Sequence, residues 1–401
     1  MSADATSRAL PVESGGSAEA PRAAGLLSRM LRLLDPLRDR WTALLASPEF
    51  QRRAAAFPLT RPIALSRSRQ LFDLLSGFVY SQTVLALVRL DLFDRLKDGG
   101  QPVDRLYEAL GLPPDRLERL LGAGVALGLL RRSRDGRTIG LGHLGAPLAG
   151  NQALARMIEH NTLLYRDLQD PIALIANDPD RSMELQGYWA YAGGRDPRSL
   201  QPSEVAAYSS LMAGSQPLVA TEILDGYDFA GHERVLDLGG GEGAFLLAVA
   251  NRHPELELEL FDLPAVAERA RVRIAALNES ARIRAHGGDF LVDPLPEGAD
   301  LITLVRILHD HDDDAVVRLL RRARAAVHPG GSVLVAEPMA GVRGAETVGA
   351  AYFALYLLAM GQGRPRSPAE LSGLLKTAGF TRVRRPRHRS PVLTSLLVAR
   401  P

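Results

Sequence analysis

The sequence predicts an α/β protein in which a seven-stranded, doubly wound sheet follows a helical, winged-helix-like region. Three observations support this prediction. Up to about residue 225 the apolar residues recur mainly at helical spacing. From residue 234 onward, short apolar runs alternate with helical segments. A glycine cluster at 239–243 directly follows the first of these runs, where a strand would deliver a ligand-binding loop to a helix.

The composition is that of an ordinary globular protein with two or three domains. The 401 residues are 46% hydrophobic and 23% charged, and the absence of cysteine excludes disulfides and cysteine-ligated metals. The formal net charge of +2 does not demand a nucleic-acid partner. We expect a leader at 1–25, a helical and winged-helix-like region at 26–225 and a sheet domain at 226–401.

The chain shows neither a secretory signal nor a clear membrane-spanning segment. Residues 1–25 are small, polar and proline-bearing, and we expect them to be disordered. The most apolar segments, near 71–96 and 346–361, contain charged residues such as Asp73 and Arg89 or are too short to span a membrane. The sequence therefore predicts a cytoplasmic protein.

The helical region contains a predicted helix, turn, helix and hairpin. Gly111 suits a helix end and Pro113 suits the start of the next helix, and Asp135 and Gly136 favour a hairpin turn. The second helix mixes acids with arginines, which favours a packing or dimerisation module over a DNA-binding surface. The helices are predicted near 103–110 and 114–128, and the hairpin strands near 129–132 and 138–141.

Beyond residue 234 the predicted strands and helices alternate, and the last two strands form a β-hairpin. Open sheets of this kind bind ligands beyond the carboxyl ends of their strands. We predict strands at 234–238, 256–261, 282–286, 299–305, 331–336, 380–387 and 391–398. We predict helices at 243–252, 264–276, 312–327, 346–361 and 367–377.

The glycine loop can bring a ligand close to bare backbone. Gly239 and Gly241 have no β-carbon to block it, and the following helix points free amides at it. With Ala244 in sixth place the loop also fits the dinucleotide pattern, so a nicotinamide or flavin enzyme is an alternative. Asp237 disfavours that alternative because its carboxylate would repel a pyrophosphate but can meet a cationic amino-acid group. Asp237 could instead brace the loop by accepting amide hydrogen bonds.

Further acidic positions follow the next two predicted strands. Asp262 ends the second strand, where a carboxylate can accept both hydroxyls of a ribose, although it could instead cap the following helix. Asp289 and Phe290 follow the third strand. They could supply an acceptor for an adenine amine and an apolar wall for its ring, and a plain turn is the alternative.

Residues 306–314 crowd histidines and aspartates between the fourth strand and a helix, which raises the question of a metal site. The helix start explains the aspartates at 312–314 as caps and partners of the helix dipole, so we predict no metal. His309 is left just past the carboxyl end of a strand. Glu337 ends another strand of the same sheet and could orient its imidazole as a base.

These residues together resemble the S-adenosylmethionine-dependent O-methyltransferases of the plant caffeic-acid and acetylserotonin type, over about 70–398. The resemblance implies a methyltransferase sheet preceded by a dimerisation domain, S-adenosylmethionine as methyl donor, and a homodimer. It rests on segments 237–243, 261–264, 287–290, 307–314, 328–331 and 335–339.

The same resemblance implies a role for each candidate residue. Asp237, Gly239 and Gly241 would line the methionine end of S-adenosylmethionine, Asp262 its ribose, Asp289 and Phe290 its adenine, with His309 as base and Glu337 as a flanking acid. Two departures affect the site. Where the plant enzymes tend to carry a second flanking glutamate this chain has Pro365, and where they tend to carry a lysine it has Val305.

A narrower resemblance concerns residues 50–62, 71–73 and 77–82, which look like the carotenoid hydroxyl methyltransferases of purple phototrophic bacteria. It implies a small hydrophobic hydroxylated substrate, namely an acyclic carotenoid of the demethylspheroidene or hydroxyneurosporene type carrying a tertiary 1-hydroxyl. Arginines between 28 and 69 suggest peripheral contact with the inner or photosynthetic membrane, and a solvated helical face is the competing explanation. The acceptor could instead be a phenol or a polyketide, and the chain could instead be a winged-helix regulator that senses a ligand and binds DNA.

Overall fold

The computed structural model describes residues 35–176, 182–188, 197–279, 281–386 and 393–401. The predicted leader at 1–25 lies outside these described residues. Internal contacts divide the chain into two units, Met1–Gln82 and Thr83–Pro401.

The described part of the first unit is helical. A helix covers 35–46, Ser47 caps helix α1 (Pro48–Ala56), and helix α2 (Arg61–Arg89) begins here and continues beyond the unit. By length and apolar composition α2 could cross a membrane, and only 17% of its most apolar stretch is buried. The helical spacing predicted from Leu71 to Phe78 is confirmed, and Asp73, which was expected to disfavour a membrane-spanning segment, lies within this continuous helix.

The predicted winged-helix pattern is present in the second unit. Gly111 ends one helix with a φ of 63°, and its partner begins at Pro114. A strand that the sequence analysis missed, only two residues long, joins the hairpin in an antiparallel sheet of order β1-β3-β2. The elements are α3 (Leu92–Arg95), β1 (Gln101–Pro102), α4 (Val103–Leu110), α5 (Pro114–Ala126), β2 (Leu130–Arg132) and β3 (Thr138–Leu141).

Helices connect this region to the large sheet. The longest, α9, packs against α6 and against the first two helices of the sheet domain, and it contains Pro217. The connecting helices are α6 (Gln152–Asp167), α7 (Pro171–Ile175), α8 (Glu184–Tyr188) and α9 (Pro202–Gly226).

Within the described residues, seven strands form one sheet in the order β6-β5-β4-β7-β8-β10-β9. The first five strands are parallel, β10 is antiparallel to β8, and β9 is antiparallel to β10, so the predicted sheet with its final hairpin is confirmed. Asp237 is paired in register with Thr303, and Val305 with Ala336, which brings the carboxyl ends of the central strands together. The strands are β4 (Arg234–Leu238), β5 (Glu257–Asp262), β6 (Ile283–Gly287), β7 (Leu301–Val305), β8 (Ser332–Glu337), β9 (Arg382–Arg384) and β10 (Ser395–Arg400).

The helices between these strands cover both faces of the sheet. Consecutive residues of one strand, such as Val235 and Leu236, belong to separate buried clusters. The helix predicted at 346–361 begins as a π-helix, where a β-carbon on Gly349 would lie 2.2 Å from the carbonyl oxygen of Met339. The helices are α10 (Ala244–Arg252), α11 (Pro264–Ala276), α12 (Asp313–Ala326), the π-helix (Thr347–Tyr352), α13 (Phe353–Met360) and α14 (Pro368–Thr377).

Candidate active site

The glycine loop connects β4 to α10 and lines a cavity of about 410 Å³, a size typical of small-molecule sites. Gly239 and Gly241 have φ values of 73° and 57°, which residues with a β-carbon rarely adopt. The N–H of Gly239 donates to the carbonyl of Phe261 at 2.8 Å, which ties the loop to the neighbouring strand. The loop therefore presents backbone rather than side chains to the cavity.

Five of the eight residues predicted for the site line this one cavity. They are Gly239, Gly241, Asp262, Asp289 and Phe290. Other residues that line the cavity were not predicted as site residues, namely Tyr208, Met212, Arg306, Asp310, His311 and Gln362. Arg306 could have been recognised by its place directly after β7, and its backbone has a φ of 59°.

The Asp262 carboxylate is fixed by backbone on both oxygens. Oδ2 accepts the N–H of Gly241 at 2.8 Å, and Oδ1 accepts the N–H of Leu263 at 2.7 Å. Helix α11 begins at Pro264 without a side-chain cap, so the capping alternative for Asp262 is wrong. Burial raises the pKa of Asp262 to about 6. Each carboxylate oxygen keeps a further lone pair for a hydroxyl in the cavity.

Asp237 lies beneath the glycine loop and is only 1% exposed. Its Oδ1 accepts the hydroxyl of Thr303 at 2.6 Å, and its Oδ2 lies against Gly240. Burial is the main cause that raises the pKa of Asp237 to about 7. Asp237 is not one of the described residues that line the cavity, so in this structure its carboxylate acts on the loop from below.

His309 and Glu337 are brought together as the strand order predicts. His309 lies on a 3₁₀ turn (Leu308–Asp310) after β7, and its Nδ1 makes a short hydrogen bond to Oε2 of Glu337 at the end of β8. Oε1 of Glu337 accepts the N–H groups of Ile307 at 2.9 Å and Leu308 at 2.6 Å. Because Nδ1 is bonded to Glu337, Nε2 is the ring nitrogen that would take part in proton transfer, and it lies beside a second carboxylate.

A second carboxylate contacts the same imidazole. Oδ1 of Asp310 lies 3.1 Å from Nε2 of His309, and Asp310 also lines the cavity. Burial by itself would lower the pKa of His309, but Asp310 and Glu337 together raise it above its ordinary value. Burial raises the pKa of Asp310 as well. A proton is therefore retained between these groups to a higher pH than on an isolated histidine.

The helix-start explanation of the acidic run is only partly correct. Helix α12 does begin at Asp313, but Asp312 makes no side-chain cap, and its Oδ1 accepts the N–H of Gly363 at 3.2 Å. Asp313 forms ion pairs with Arg364 and Arg366 from a distant segment. Among the residues that the structure describes, no cluster of three potential metal ligands occurs.

An aromatic cluster borders the His309 side of the site. Phe353 makes an edge-to-face contact with His309 at 5.3 Å between ring centres. The hydroxyl of Tyr356 is 2.9 Å from Nε2 of His160, and the hydroxyl of Tyr352 donates to Asn161 at 3.0 Å. Helix α13 thus contributes to a buried core, and Phe353 at its start reaches the candidate base.

The open sheet, with a glycine loop and acidic strand ends around one cavity, is the fold of a class of enzymes that bind a nucleoside-containing cofactor. Family models match an O-methyltransferase dimerisation domain at residues 72–157 and an O-methyltransferase domain at residues 165–381. The chain belongs to this O-methyltransferase family, and it is an S-adenosylmethionine-dependent enzyme.

Relatives and solved structures agree with this assignment. Demethylspheroidene O-methyltransferases of Cereibacter sphaeroides and Rhodobacter capsulatus are 43% and 41% identical, covering 85% of this chain and 89% and 84% of their own lengths. Acetylserotonin O-methyltransferase of Mus musculus is 35% identical over 80% of this chain and 86% of its own. The structure of human N-acetylserotonin methyltransferase with S-adenosylmethionine has a TM-score of 0.67 at 25% identity, covering 83% of this chain and 97% of its own.

Proposed function

We propose that the protein transfers a methyl group from S-adenosylmethionine to the tertiary 1-hydroxyl of an acyclic carotenoid of the demethylspheroidene or hydroxyneurosporene type. The observation that carries the chemistry is the His309 imidazole, which Glu337 orients and which contacts Asp310, a residue that lines the cavity. The identity of 43% and 41% to two demethylspheroidene O-methyltransferases supports the acceptor class.

We assign the cofactor end of the site by the chemistry of its donors. The paired lone pairs of Asp262 suit the two ribose hydroxyls, and Asp289 and Phe290 suit the adenine amine and ring. The backbone at Gly239 and Gly241 borders the methionine end, and the Asp237 carboxyl lies beneath it, where a cationic ligand would favour its ionised form. A loop with bare backbone beside carboxylates fits a cationic nucleoside better than a pyrophosphate.

S-adenosylmethionine supplies an electrophilic methyl group on a positively charged sulfur. An alcohol is far too weak an acid for imidazole to ionise it in advance, so His309 accepts the hydroxyl proton as the new carbon–oxygen bond forms and the carbon–sulfur bond breaks. Glu337 stabilises the resulting imidazolium through Nδ1. The cavity positions the hydroxyl, and positioning supplies much of the rate.

The acceptor can be identified directly. Purified protein is incubated with labelled S-adenosylmethionine and a panel of hydroxylated acyclic carotenoids, phenols and aromatic polyketides, and products are analysed by mass. We expect label in a carotenoid methyl ether. Label only in a phenol or polyketide would replace the carotenoid proposal while retaining the O-methyltransferase assignment.

We further propose a homodimer that uses the exposed apolar side of α2. This side lies at the start of the matched dimerisation domain, and its large side chains are 60–81% exposed in the single chain. Light scattering of Leu74→Glu should show monomers where the natural protein shows dimers, while Leu277→Glu, an exposed leucine outside that domain, should remain dimeric. The exposed side chains are Leu71, Phe72, Leu74, Leu75 and Phe78.

The protein is also proposed to be cytoplasmic with a peripheral contact to an anionic membrane. Residues 35–70 hold seven arginines against three acidic residues, and Trp41, Phe57, Leu59 and Ile63 are at least half exposed there. Arginines mixed with exposed aromatic and aliphatic side chains are typical of interfacial helices. A hydrophobic polyene acceptor would be dissolved in the same membrane.

Vesicle sedimentation tests this contact. We expect binding to vesicles containing phosphatidylglycerol, release by 0.5 M salt, and weaker binding of Arg52→Ala/Arg53→Ala than of the control Arg321→Ala/Arg324→Ala. Equal binding to neutral vesicles and no effect of salt would contradict the peripheral proposal. Retention after alkaline carbonate extraction would also contradict it, and would indicate that α2 spans the bilayer.

A further inference from the structure

Arg366 is a buried cation close to the candidate base. It is 2% exposed, although arginine is seldom fully buried unless its charge is paired. Its Nε donates to Oδ1 of Asp313 at 2.8 Å, which supplies the opposite charge. Its other two nitrogens donate to backbone carbonyls, Nη1 to Leu308 at 2.7 Å and Nη2 to His311 at 2.6 Å.

These two carbonyls bracket the turn that carries His309. Of the two carbonyls between them, that of His309 accepts the backbone N–H of Arg364 at 2.9 Å. Gly363 allows this close approach, because a β-carbon there would lie 2.1 Å from the His309 oxygen. The chain at 363–366 therefore holds three carbonyls of the turn from one side.

Glu337 holds the same turn from its amide side. Its Oε1 accepts the N–H groups of Ile307 and Leu308, and its Oε2 bonds to the His309 ring. The ring can meet Glu337 only while the turn keeps its orientation. Arg366 also has its own backbone carbonyl bonded to the N–H of Ala340, shortly after β8. Glu337 on one side of the turn and Arg366 on the other are thus both anchored at or just after the end of β8.

We propose that Arg366 is a positioning residue for methyl transfer, which fixes the turn at 308–311 so that His309 stays oriented by Glu337. Arg366 is not one of the described residues that line the cavity, so it acts through the turn rather than on a ligand. The proposal rests on the proposed role of His309 as base.

The structure provides a matched control in Arg364. Its side chain shares Asp313 with Arg366 at 3.0 Å and also pairs with Glu370 at 2.7 Å. It is 43% exposed, and these side-chain bonds go to carboxylates rather than to carbonyls of the turn. Replacing the Arg364 side chain leaves the hydrogen bond from its backbone N–H to the carbonyl of His309 in place. The pair Arg366→Met and Arg364→Met therefore separates the hold on the turn from the ion pair with Asp313.

The test measures kcat, the acceptor KM and the Kd of S-adenosylmethionine for Arg366→Met, Arg366→Lys and Arg364→Met. We expect Arg366→Met to lower kcat about 100-fold, since a displacement near 1 Å can cost that much. Both KM and Kd should stay within about threefold of the natural protein. Lysine should recover part of the loss because it can donate to some of the same oxygens, and Arg364→Met should keep kcat within about threefold.

The pH profile distinguishes positioning from general support of the fold. Asp310, Glu337 and Arg306 are the charged groups that act on His309, and Asp310 and Glu337 raise its pKa. Loosening the contact with Glu337 lowers that pKa, so the acidic limb of kcat should move to lower pH in Arg366→Lys. If the substitution only destabilised the fold, the acidic limb of the kcat profile would stay at the pH found for the natural protein.

Three results would overturn the inference: kcat of folded Arg366→Met within threefold of the natural protein, equal losses in kcat and cofactor Kd, or an equal loss in Arg364→Met. If Arg366→Met does not fold, the pH profile and kcat of Arg366→Lys decide the question. His309→Ala separates this inference from the proposed function. If His309→Ala keeps full turnover, His309 is not the base. If His309→Ala loses turnover while the Arg366 variants keep it, only the positioning role of Arg366 is rejected.

Discussion

Replacing Glu337 by glutamine changes one atom and tests how the base is oriented. The carboxylate accepts three hydrogen bonds, two from backbone N–H groups on Oε1 and one from His309 on Oε2. Glutamine has one oxygen and one NH₂ group. If the NH₂ faced the two N–H groups, two donors would lose their partner at about 1–3 kcal/mol each, so the oxygen stays there and the NH₂ faces His309.

That arrangement forces the wrong tautomer. Nδ1 of His309 must then accept, which leaves the proton on Nε2, the nitrogen that should receive the substrate proton. General base catalysis contributes about 10²–10⁴ in rate, and we expect Glu337→Gln to lower kcat about 10³-fold, or about 4 kcal/mol on the barrier. The Kd of S-adenosylmethionine should stay within about twofold, because Glu337 is buried away from the cavity wall.

The assay is single-turnover transfer of labelled methyl groups at saturating acceptor, with calorimetry for cofactor binding. Glu257→Gln is the control, since Glu257 begins β5 at the opposite edge of the sheet and is exposed. In a His309→Ala background the Glu337→Gln change should cost less than threefold more, because both residues act through one proton transfer. Additive losses in the double variant, or a kcat within threefold in the single one, would refute this reasoning.

Three further predictions concern the cofactor, the pH dependence and stability. Asp262→Asn should raise the Kd of S-adenosylmethionine at least about tenfold in calorimetry, because charge-assisted bonds contribute about 1.5–3 kcal/mol; an unchanged Kd would exclude the ribose assignment. Asp310→Asn removes a charge that raises the pKa of His309, so the acidic limb of kcat should move to lower pH, and a limb that stayed or moved upward would contradict this. Tyr356→Phe removes the partner of Nε2 of His160, whose Nδ1 has no partner among the described residues, so the denaturation midpoint should reflect a loss of about 1–3 kcal/mol. An unchanged midpoint would show that His160 does not depend on that hydroxyl.

Most of the sheet domain was predictable because its strands are buried and locally apolar. The strand at 234–238 and the helix at 264–276 have the predicted bounds. Carboxyl ends of such strands meet at one edge, so Asp262 beside the glycine loop and Glu337 beside His309 could be expected from sequence alone.

The errors arose where a short local pattern has two physical explanations. Asp312 has the sequence position of a helix cap. Its carboxylate instead accepts the N–H of Gly363, which lies more than fifty residues later in the chain. For Asp262 the same ambiguity left capping as the alternative to a ribose contact, and its oxygens accept the N–H groups of Gly241 and Leu263. Within the π-helix at Thr347–Tyr352, Gly349 lies close to the carbonyl of Met339, a contact that helical periodicity does not encode.

The sequence by itself determined the class of fold and the glycine loop with its acidic partners, and it was enough to propose His309 as base, because each depends on local periodicity and on residue types next to strand ends. Only the tertiary structure decided how that base is held. The contact of Asp310 with Nε2 depends on the curvature of one turn, and the bonds of Arg366 join segments more than fifty residues apart. A hydrogen bond between a buried side-chain ion and a distant backbone carbonyl depends on tertiary packing, and no residue spacing along the chain predicts it.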